Sequence, residues 1–372
     1  MASTQLLPPA SEADSPVPVE IARSKPFINA ARRVFGSYTF RTIFQGIITI
    51  WAVMTFTFVM IRQMPGNPFE VYVSQILMTE NISYEEAMAR AAGLFDFDPD
   101  APLLEQYIVY LGKIIRGDLG QSITSAGTPV AQQILRYLPW TLFSVGSGLL
   151  ISFTLGILLG TAMAFWRGTV FDNVMTALSS ILFSIPNYIV AYIIILVFGV
   201  QLGVFSVGEM RGGVDPNLTP GFTPEYIGSI IKHALLPVIV YVTATVGGWM
   251  LTMKSSTIAT LGEEYVTVAR ARGLSQWRIL TAYVGRNAML PLVTQLAISI
   301  GFVIGGSVII EVIFTYPGIG RFLSTSIGRR DYTSMQGIFL VISIAVVLSN
   351  ILADLMYSVL DPRIRISGGN QS

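Results

Sequence analysis

Residues 287–310 read NAMLPLVTQLAISIGFVIGGSVII and contain no charged side chain. A helix rises about 1.5 Å per residue, so this run would extend about 36 Å and cross the roughly 30 Å hydrocarbon core of a bilayer. The run therefore predicts a membrane-spanning helix.

Five further uncharged runs are long enough to cross a bilayer: 42–61, 137–166, 173–208, 234–253 and 332–353. Gly199, Gly203 and Gly208 interrupt the longest run, so its helix is predicted to end near Val200. The predicted fold is an all-α integral membrane protein with six transmembrane helices. Their predicted bounds are 41–62, about 138–166, 173–200, 234–253, 287–312 and 333–357.

The composition agrees with a membrane protein and excludes several other classes. Charged residues make up 12% of the 372 residues, against roughly 25% in soluble domains. Cysteine is absent and His233 is the only histidine, which excludes disulfides, thiolate zinc sites and two-histidine metal sites. A net charge of +1 disfavours nucleic acid as a partner, so the lipid bilayer is the expected surrounding.

Basic residues predict the orientation, because Lys and Arg resist translocation. The side that holds both termini carries 13 Lys or Arg among 99 residues, and the opposite side carries 10 among 121. We therefore predict a multi-pass protein of the cell membrane with both termini in the cytoplasm. The flanking segments are then a largely disordered cytoplasmic tail at 1–40, an extracellular loop or cap at 63–136 and a cytoplasmic tail at 359–372.

The loop at 254–286 reads KSSTIATLGEEYVTVARARGLSQWRILTAYVGR and has strong helix signals. Thr260 and Glu263 have the spacing of a capping box, and Gly273 can adopt the left-handed conformation that ends a helix. These signals predict a short amphipathic helix at about 261–272.

A second short helix should follow, with Ser275 as its cap, and lead through Asn287 and Pro291 into the fifth span. Two helices joined by a glycine turn form a hairpin that projects from the membrane. Its exposed face suits a groove on a partner protein and is predicted to include Tyr265, Val268, Ala269 and Arg272.

Residues 264–274 (EYVTVARARGL) and 286–291 (RNAMLP) resemble the EAA coupling loop of the permease subunits of binding-protein-dependent ABC importers. Glu264, Gly273 and Pro291 stand at the family's spacing. Tyr265 and Val266 replace two alanines of the generic motif, which is typical of the dipeptide/oligopeptide/nickel branch. Four other stretches resemble the same branch: 117–122 (GDLGQS), 233–237 (HALLP), 311–320 (EVIFTYPGIG) and 354–365 (DLMYSVLDPRIR).

The resemblance implies a type I ABC importer permease fold over 137–358 and a pore-forming role without catalysis. Two ATPase subunits would dock on the coupling loop and bind ATP and magnesium, so this chain would hold no cofactor. A second related permease would complete the pore, and an extracellular solute-binding protein would deliver the substrate. The coupling residues implied are Glu264, Tyr265, Val268, Ala269, Arg272, Gly273 and Leu274.

Three residues are candidates for the substrate path or for gating. Glu311 lies at the end of an uncharged run, where it either makes a structural or gating contact or lines the path. Asp354 has a similar position, for which a structural role is favoured. Pro186 falls inside the third predicted span, where proline kinks a helix.

Alternative functions fit the sequence less well. Residues 248–255 (GWMLTMKS) resemble a phosphate-binding loop, but Met253 replaces its second glycine, and Lys254 is better explained as an interfacial anchor. A self-contained secondary transporter would need ionisable residues deep in its spans, whose centres are uncharged. Among importer substrates, peptides are the first choice, with oligosaccharides and nickel as alternatives.

Overall fold

The computed structural model describes residues 38–63, 68–80, 82–95, 101–125 and 127–360. Residues 1–37 of the predicted N-terminal tail and 361–372 of the C-terminal tail lie outside the described residues. The chain divides into two units, Met1–Gln45 and Gly46–Ser372. Of the first unit, only the opening turns of the first helix are described.

The described residues are almost entirely helical, as predicted. The α-helices are α1 (Tyr38–Gln63), α2 (Pro68–Thr79), α3 (Tyr84–Phe95), α4 (Leu103–Ile115), α5 (Val130–Phe165), α6 (Val170–Ser184), α7 (Asn187–Ile194), α8 (Pro224–Leu261), α9 (Glu264–Ala271), α10 (Gln276–Arg278), α11 (Arg286–Ala288), α12 (Leu290–Gly305), α13 (Val308–Ile313), α14 (Ile319–Gly328) and α15 (Tyr332–Leu360). Two π-helical segments, Ile195–Gln201 and Ile279–Gly285, follow α7 and α10.

Five candidate spans in the described part of the chain are long and apolar enough to cross a membrane: Arg41–Met60, Val130–Phe165, Pro224–Leu261, Leu290–Ile313 and Tyr332–Ala353. A sixth candidate is the pair Val170–Ser184 and Asn187–Gln201. The two members of this pair are bent by 101° at the break between them, so the single helix predicted at 173–200 is wrong, although the sequence did place a kinking proline within it. Pro186 begins the second member, because it lacks the N–H that would continue α6.

Helix α8 is longer than the predicted span at 234–253, because its caps lie beyond the uncharged run. The Thr223 hydroxyl accepts a hydrogen bond from the Tyr226 N–H at 3.3 Å, and Pro224 occupies the first turn. The 38 residues of α8 extend about 57 Å, well beyond the hydrocarbon thickness. The helix therefore also forms part of the region outside the membrane.

Small residues bring α5 and α8 together side by side and parallel. A Cβ added at Gly156 would lie 2.2 Å from the Trp249 Cβ, and one added at Gly160 would lie 2.7 Å from the Met253 Cβ. In lipid, no hydrophobic effect drives two helices together. Their association depends instead largely on van der Waals packing, which small residues favour because they let the two backbones approach closely.

Two further contacts complete the bundle by the same means. Helices α12 and α15 run antiparallel, with Gly301 against Ser349. Helix α6 lies on α8 where a Cβ added at Gly247 would meet the Ser179 carbonyl oxygen. Helices α5, α6 and α8 therefore pack as one group.

The segment predicted as a cap at 63–136 contains α2, α3 and α4. Helices α2 and α3 pack on each other through a small apolar cluster that contains Val73 and Ala87. Helix α4 instead packs on α1, where the Phe58 and Tyr110 rings stack with centroids 5.3 Å apart. The segment is therefore partly built onto the first span.

Replacing Gly156 with Leu should lower the free energy of unfolding by about 1–3 kcal/mol, because a side chain there collides with Trp249. Leucine is the better helix former by up to about 1 kcal/mol, so Gly228→Leu, where an added Cβ meets open space, should be neutral or stabilising. Thermal unfolding of the detergent-solubilised chain measures both. An unchanged midpoint for Gly156→Leu would contradict the packing argument.

Candidate functional site

The segment 262–288 forms the hairpin expected from the sequence, and we call it the α9–α11 hairpin. Its first helix, α9, begins at Glu264, three residues after α8 ends. The predicted capping box is wrong, because Thr260 still belongs to α8 and its hydroxyl donates back to the Ser256 carbonyl. Glu263 is the N-cap by backbone geometry and makes no side-chain cap bond.

A left-handed glycine makes the turn of the hairpin, as the sequence predicted. Gly273 has φ of 74°, and a Cβ added there would meet no atom within 4 Å. The constraint is therefore the backbone angle alone, because the space around the residue is open. The Ser275 hydroxyl then accepts from the Arg278 N–H at 3.4 Å, as expected for the cap of the second helix.

The return arm of the hairpin is helical over 276–288, as predicted, but it is not α-helical throughout. It consists of α10, the π-helical segment Ile279–Gly285 and α11, before α12 begins at Leu290. Ile279, Leu280 and Val284 of this arm are buried in one cluster with Trp249 of α8. The arm therefore packs the hairpin onto the end of the bundle.

The two faces of α9 differ sharply from one another. Val268 is 58% exposed, and Glu264 and Arg272 are also exposed. Ala269 is only 2% exposed and packs in the hairpin core, so its predicted place on the outer face is wrong. Tyr265 was also predicted on the exposed face, but it is half-buried and packs against the same core. Leu274 is half-buried against this core as well.

Hydrogen bonds join the two arms of the hairpin to each other and join its return arm to α8. The Asn287 side-chain amide donates to the Tyr265 hydroxyl at 2.6 Å, and that hydroxyl donates to the Tyr283 carbonyl at 3.4 Å. The Ser256 hydroxyl of α8 donates to the Ala288 carbonyl at 2.7 Å. The two arms of the hairpin and α8 thus form one connected unit.

An ion pair beside the hairpin joins α8 to the bent span. Lys254 Nζ lies 2.5 Å from Asp172 Oδ1 and 2.8 Å from the Thr176 hydroxyl, and the Asp172 side chain is almost fully buried. The predicted role of Lys254 as an interfacial anchor missed this partner, because Asp172 is distant in sequence. Residues 248–255, which resemble a phosphate-binding loop, lie inside α8.

Glu311 makes structural contacts at the start of α14. It is 1% exposed and accepts hydrogen bonds from the Thr141 hydroxyl at 2.9 Å and from the Arg321 N–H at 3.0 Å. The same Thr141 hydroxyl accepts from the Ile319 N–H at 2.8 Å. The carboxylate therefore complements the positive end of α14 and fastens it to α5. Burial, followed by the charge of Glu311, raises the pKa of the nearby Tyr316.

A third buried carboxylate, which the sequence did not single out, lies at the start of α15. Asp331 accepts hydrogen bonds from the Ser122 hydroxyl at 2.5 Å and from the Thr124 N–H at 3.2 Å. It also accepts from the Ser334 N–H at 3.0 Å, which caps the helix. In the sequence, only the 117–122 motif pointed to this contact, because it contains Ser122. The motif could not identify Asp331 as the partner, because Asp331 is more than 200 residues away in the chain.

The remaining candidates are spread through the bundle. Pro186 lies at the break between α6 and α7, and His233 forms a 2.7 Å hydrogen bond with the Ser229 carbonyl oxygen. Asp354 lies in α15, and its side chain is outside the described part of the structure. Among the described residues, no group of three side chains could hold a metal ion.

Comparison with known proteins places this architecture in a family. Residues 156–366 match the family described as binding-protein-dependent transport system inner membrane component. A putative peptide permease protein of Brucella suis is 32% identical over 331 residues, which cover 89% of this chain and 99% of the relative.

Two further relatives show similar coverage. A di/tripeptide transport system permease protein of Pseudomonas aeruginosa is 33% identical over 329 residues, 86% of this chain and 96% of the relative. An oligopeptide transport system permease protein of Bacillus subtilis is 32% identical over 330 residues, 88% of this chain and 99% of the relative. This chain therefore belongs to the inner-membrane components of binding-protein-dependent ABC transport systems, and it is a multi-pass permease subunit rather than an enzyme.

Proposed function

We propose that the chain is the pore-forming subunit of an ATP-driven importer of peptides. The observation that carries the proposal is the α9–α11 hairpin, which has an exposed α9 face and is packed onto α8 and α12. The three relatives are named as peptide, di/tripeptide and oligopeptide permeases, which supports peptides as the substrate. Oligosaccharides or nickel, carried by the same machinery, remain the alternatives raised by the sequence.

The exposed stripe of α9 is the surface that we assign to an ATPase subunit. Glu264, Val268 and Arg272 are spaced by four residues, so they share one side of the helix. An apolar side chain lies between an acid and a base, a pattern that suits a groove with a defined direction. Ala269 and Tyr265 support this face from beneath.

Movement of the hairpin would reach the membrane through two connections. Helix α8 continues from the hairpin into the bundle, and Lys254 on α8 forms an ion pair with Asp172 at the start of α6. An ATPase dimer can bias the pore only by binding its inward-open and outward-open states unequally. In the proposed mechanism, closure of two ATPase subunits around ATP and magnesium displaces both hairpins of a two-permease pore, and substrate from the binding protein gains alternating access.

Coupling of ATP hydrolysis to peptide uptake can be tested in proteoliposomes that contain the permease pair, two ATPase subunits, a solute-binding protein and a labelled peptide. Glu264→Ala and Gly273→Val should lower uptake per assembled complex and substrate-stimulated ATP hydrolysis. The valine must adopt a positive φ at a cost of about 1–3 kcal/mol, which reorients the turn.

Two matched variants separate coupling from general damage. Glu263→Ala removes an adjacent carboxylate that makes no cap bond, and Gly262→Val changes a glycine whose φ is −83°. Both should retain uptake per complex. If Glu264→Ala and Gly273→Val also retain it, the coupling assignment fails; if the unmodified complex imports no peptide on addition of ATP, the peptide proposal fails.

The proposed orientation predicts a labelling pattern that needs no background mutations, because the chain contains no cysteine. Single cysteines at Ser74 and Ser125 should react with a membrane-impermeant maleimide in whole cells. Ser275, although exposed on the protein surface, should be protected until the cells are opened. The reverse pattern would place the hairpin outside the cell and overturn the proposal.

The Asp172–Lys254 pair predicts a separable defect. Asp172→Asn and Lys254→Met should lower the number of peptides imported per ATP hydrolysed, because α6 is no longer held to α8 by charge. The double variant Asp172→Lys with Lys254→Asp should restore part of this ratio. Glu209→Gln, which breaks the exposed 3.6 Å pair with Lys232, is the control and should leave the ratio unchanged. An unchanged ratio in both single variants would show that the pair has no part in coupling.

A further inference from the structure

Helix α4 presents three chemically distinct sides along LLEQYIVYLGKII. Leu104, Ile108, Leu111 and Ile115 recur at intervals of four, three and four residues, so they share one side. A second side carries Glu105 and Arg116, both of which are exposed. The third side carries the tyrosines that contact α1.

The contact with α1 sets the depth of α4 relative to the membrane. The hydroxyls of Tyr107 and Thr55 share a 2.6 Å hydrogen bond, and the Tyr107 ring lies 5.3 Å from that of Phe58. Thr55 lies five residues before the end of the span Arg41–Met60, or about 7.5 Å along the helix axis. The middle of α4 therefore lies level with the outer part of the hydrocarbon core or its boundary.

The apolar side of α4 faces away from the protein. Leu104 is 71% exposed, Ile108 is 62% exposed and Ile115 is 85% exposed. At the same level of α1, Phe56, Val59 and Met60 are exposed as well. Exposed apolar side chains of α4 and α1 at the level of the outer hydrocarbon core contact lipid.

We propose that α4 is an interfacial helix that lies on the bilayer, with Leu104, Ile108 and Ile115 inserted among lipid acyl chains. Glu105 and Arg116 then face water and lipid headgroups. Tyr107 occupies the position of the aromatic belt, with its ring against Phe58 and its hydroxyl hydrogen-bonded to Thr55. The occupant of the apolar face is lipid because that face continues the lipid-facing surface of the first span.

The proposal changes the role of the predicted cap at 63–136. The chain leaving α4 enters the 117–129 loop, which Asp331 binds through Ser122 and Thr124. The 117–129 loop is held by Asp331 at the start of the last span, and α4, which precedes the loop, is held at the membrane surface. The loop therefore follows the bilayer rather than projecting from it.

Spin labels test the proposal in the full chain reconstituted into phosphatidylcholine and phosphatidylglycerol vesicles. Single cysteines at Leu104, Ile108 and Ile115 carry nitroxides, with Glu105 and Arg116 as matched sites on the polar side. Collision rates are measured with oxygen, which concentrates in lipid, and with a water-soluble nickel chelate. Ile47, which is exposed on α1, is the reference for a lipid-facing site.

The three apolar sites should show oxygen-to-nickel collision ratios severalfold above those of Glu105 and Arg116, and close to that of Ile47. High nickel access at Leu104, Ile108 and Ile115 would show that the face is in water and would overturn the proposal. Low access to both reagents would show a protein-covered face and would overturn it equally. The same labels measured in the assembled transporter should give the same ratios, since the proposed occupant is lipid in both preparations.

Discussion

The close parallel contact between α5 and α8 is the interaction on which the rest of the structure depends. Gly156 and Gly160 let the two backbones approach at Trp249 and Met253. This contact fixes the long helix that leads into the α9–α11 hairpin, and α6 packs on the same helix at Gly247. The hairpin is consequently an extension of the bundle core, because Trp249 belongs to the same apolar cluster as Val266 and Ala269.

Three buried carboxylates each link two elements of this bundle. Asp172 joins α6 to α8 through Lys254, Glu311 joins α14 to α5 through Thr141, and Asp331 joins the 117–129 loop to α15. Glu311 and Asp331 accept from backbone N–H groups at helix starts, which supplies favourable charge without a cation. Carboxylates therefore act here as connectors between elements, a role that their positions at the ends of apolar runs do not reveal.

The sequence predicted those features that depend on local chemistry. Uncharged length located the spans, and Gly273 located the turn of the hairpin, because each signal is complete within a few residues. It failed where distant partners decide the outcome: Lys254 with Asp172 and Ser122 with Asp331. Thr260 failed as a cap because α8 continued past it, and Ala269 failed as a surface residue because the return arm selects the buried side of α9.

The break at Pro186 has a consequence for hydration. Helix α6 is 15 residues long, so it ends about 22 Å from its start, at a depth that remains within a 30 Å hydrocarbon core. The N–H groups of Ile189 and Val190 donate to the Pro186 carbonyl, but those of Asn187 and Tyr188 and the last carbonyls of α6 have no intrahelical partner. Hydrocarbon offers none, and leaving them dry would cost several kcal/mol for each group. Water or polar protein groups must therefore reach the middle of this subunit, and a straight third span would have no such requirement.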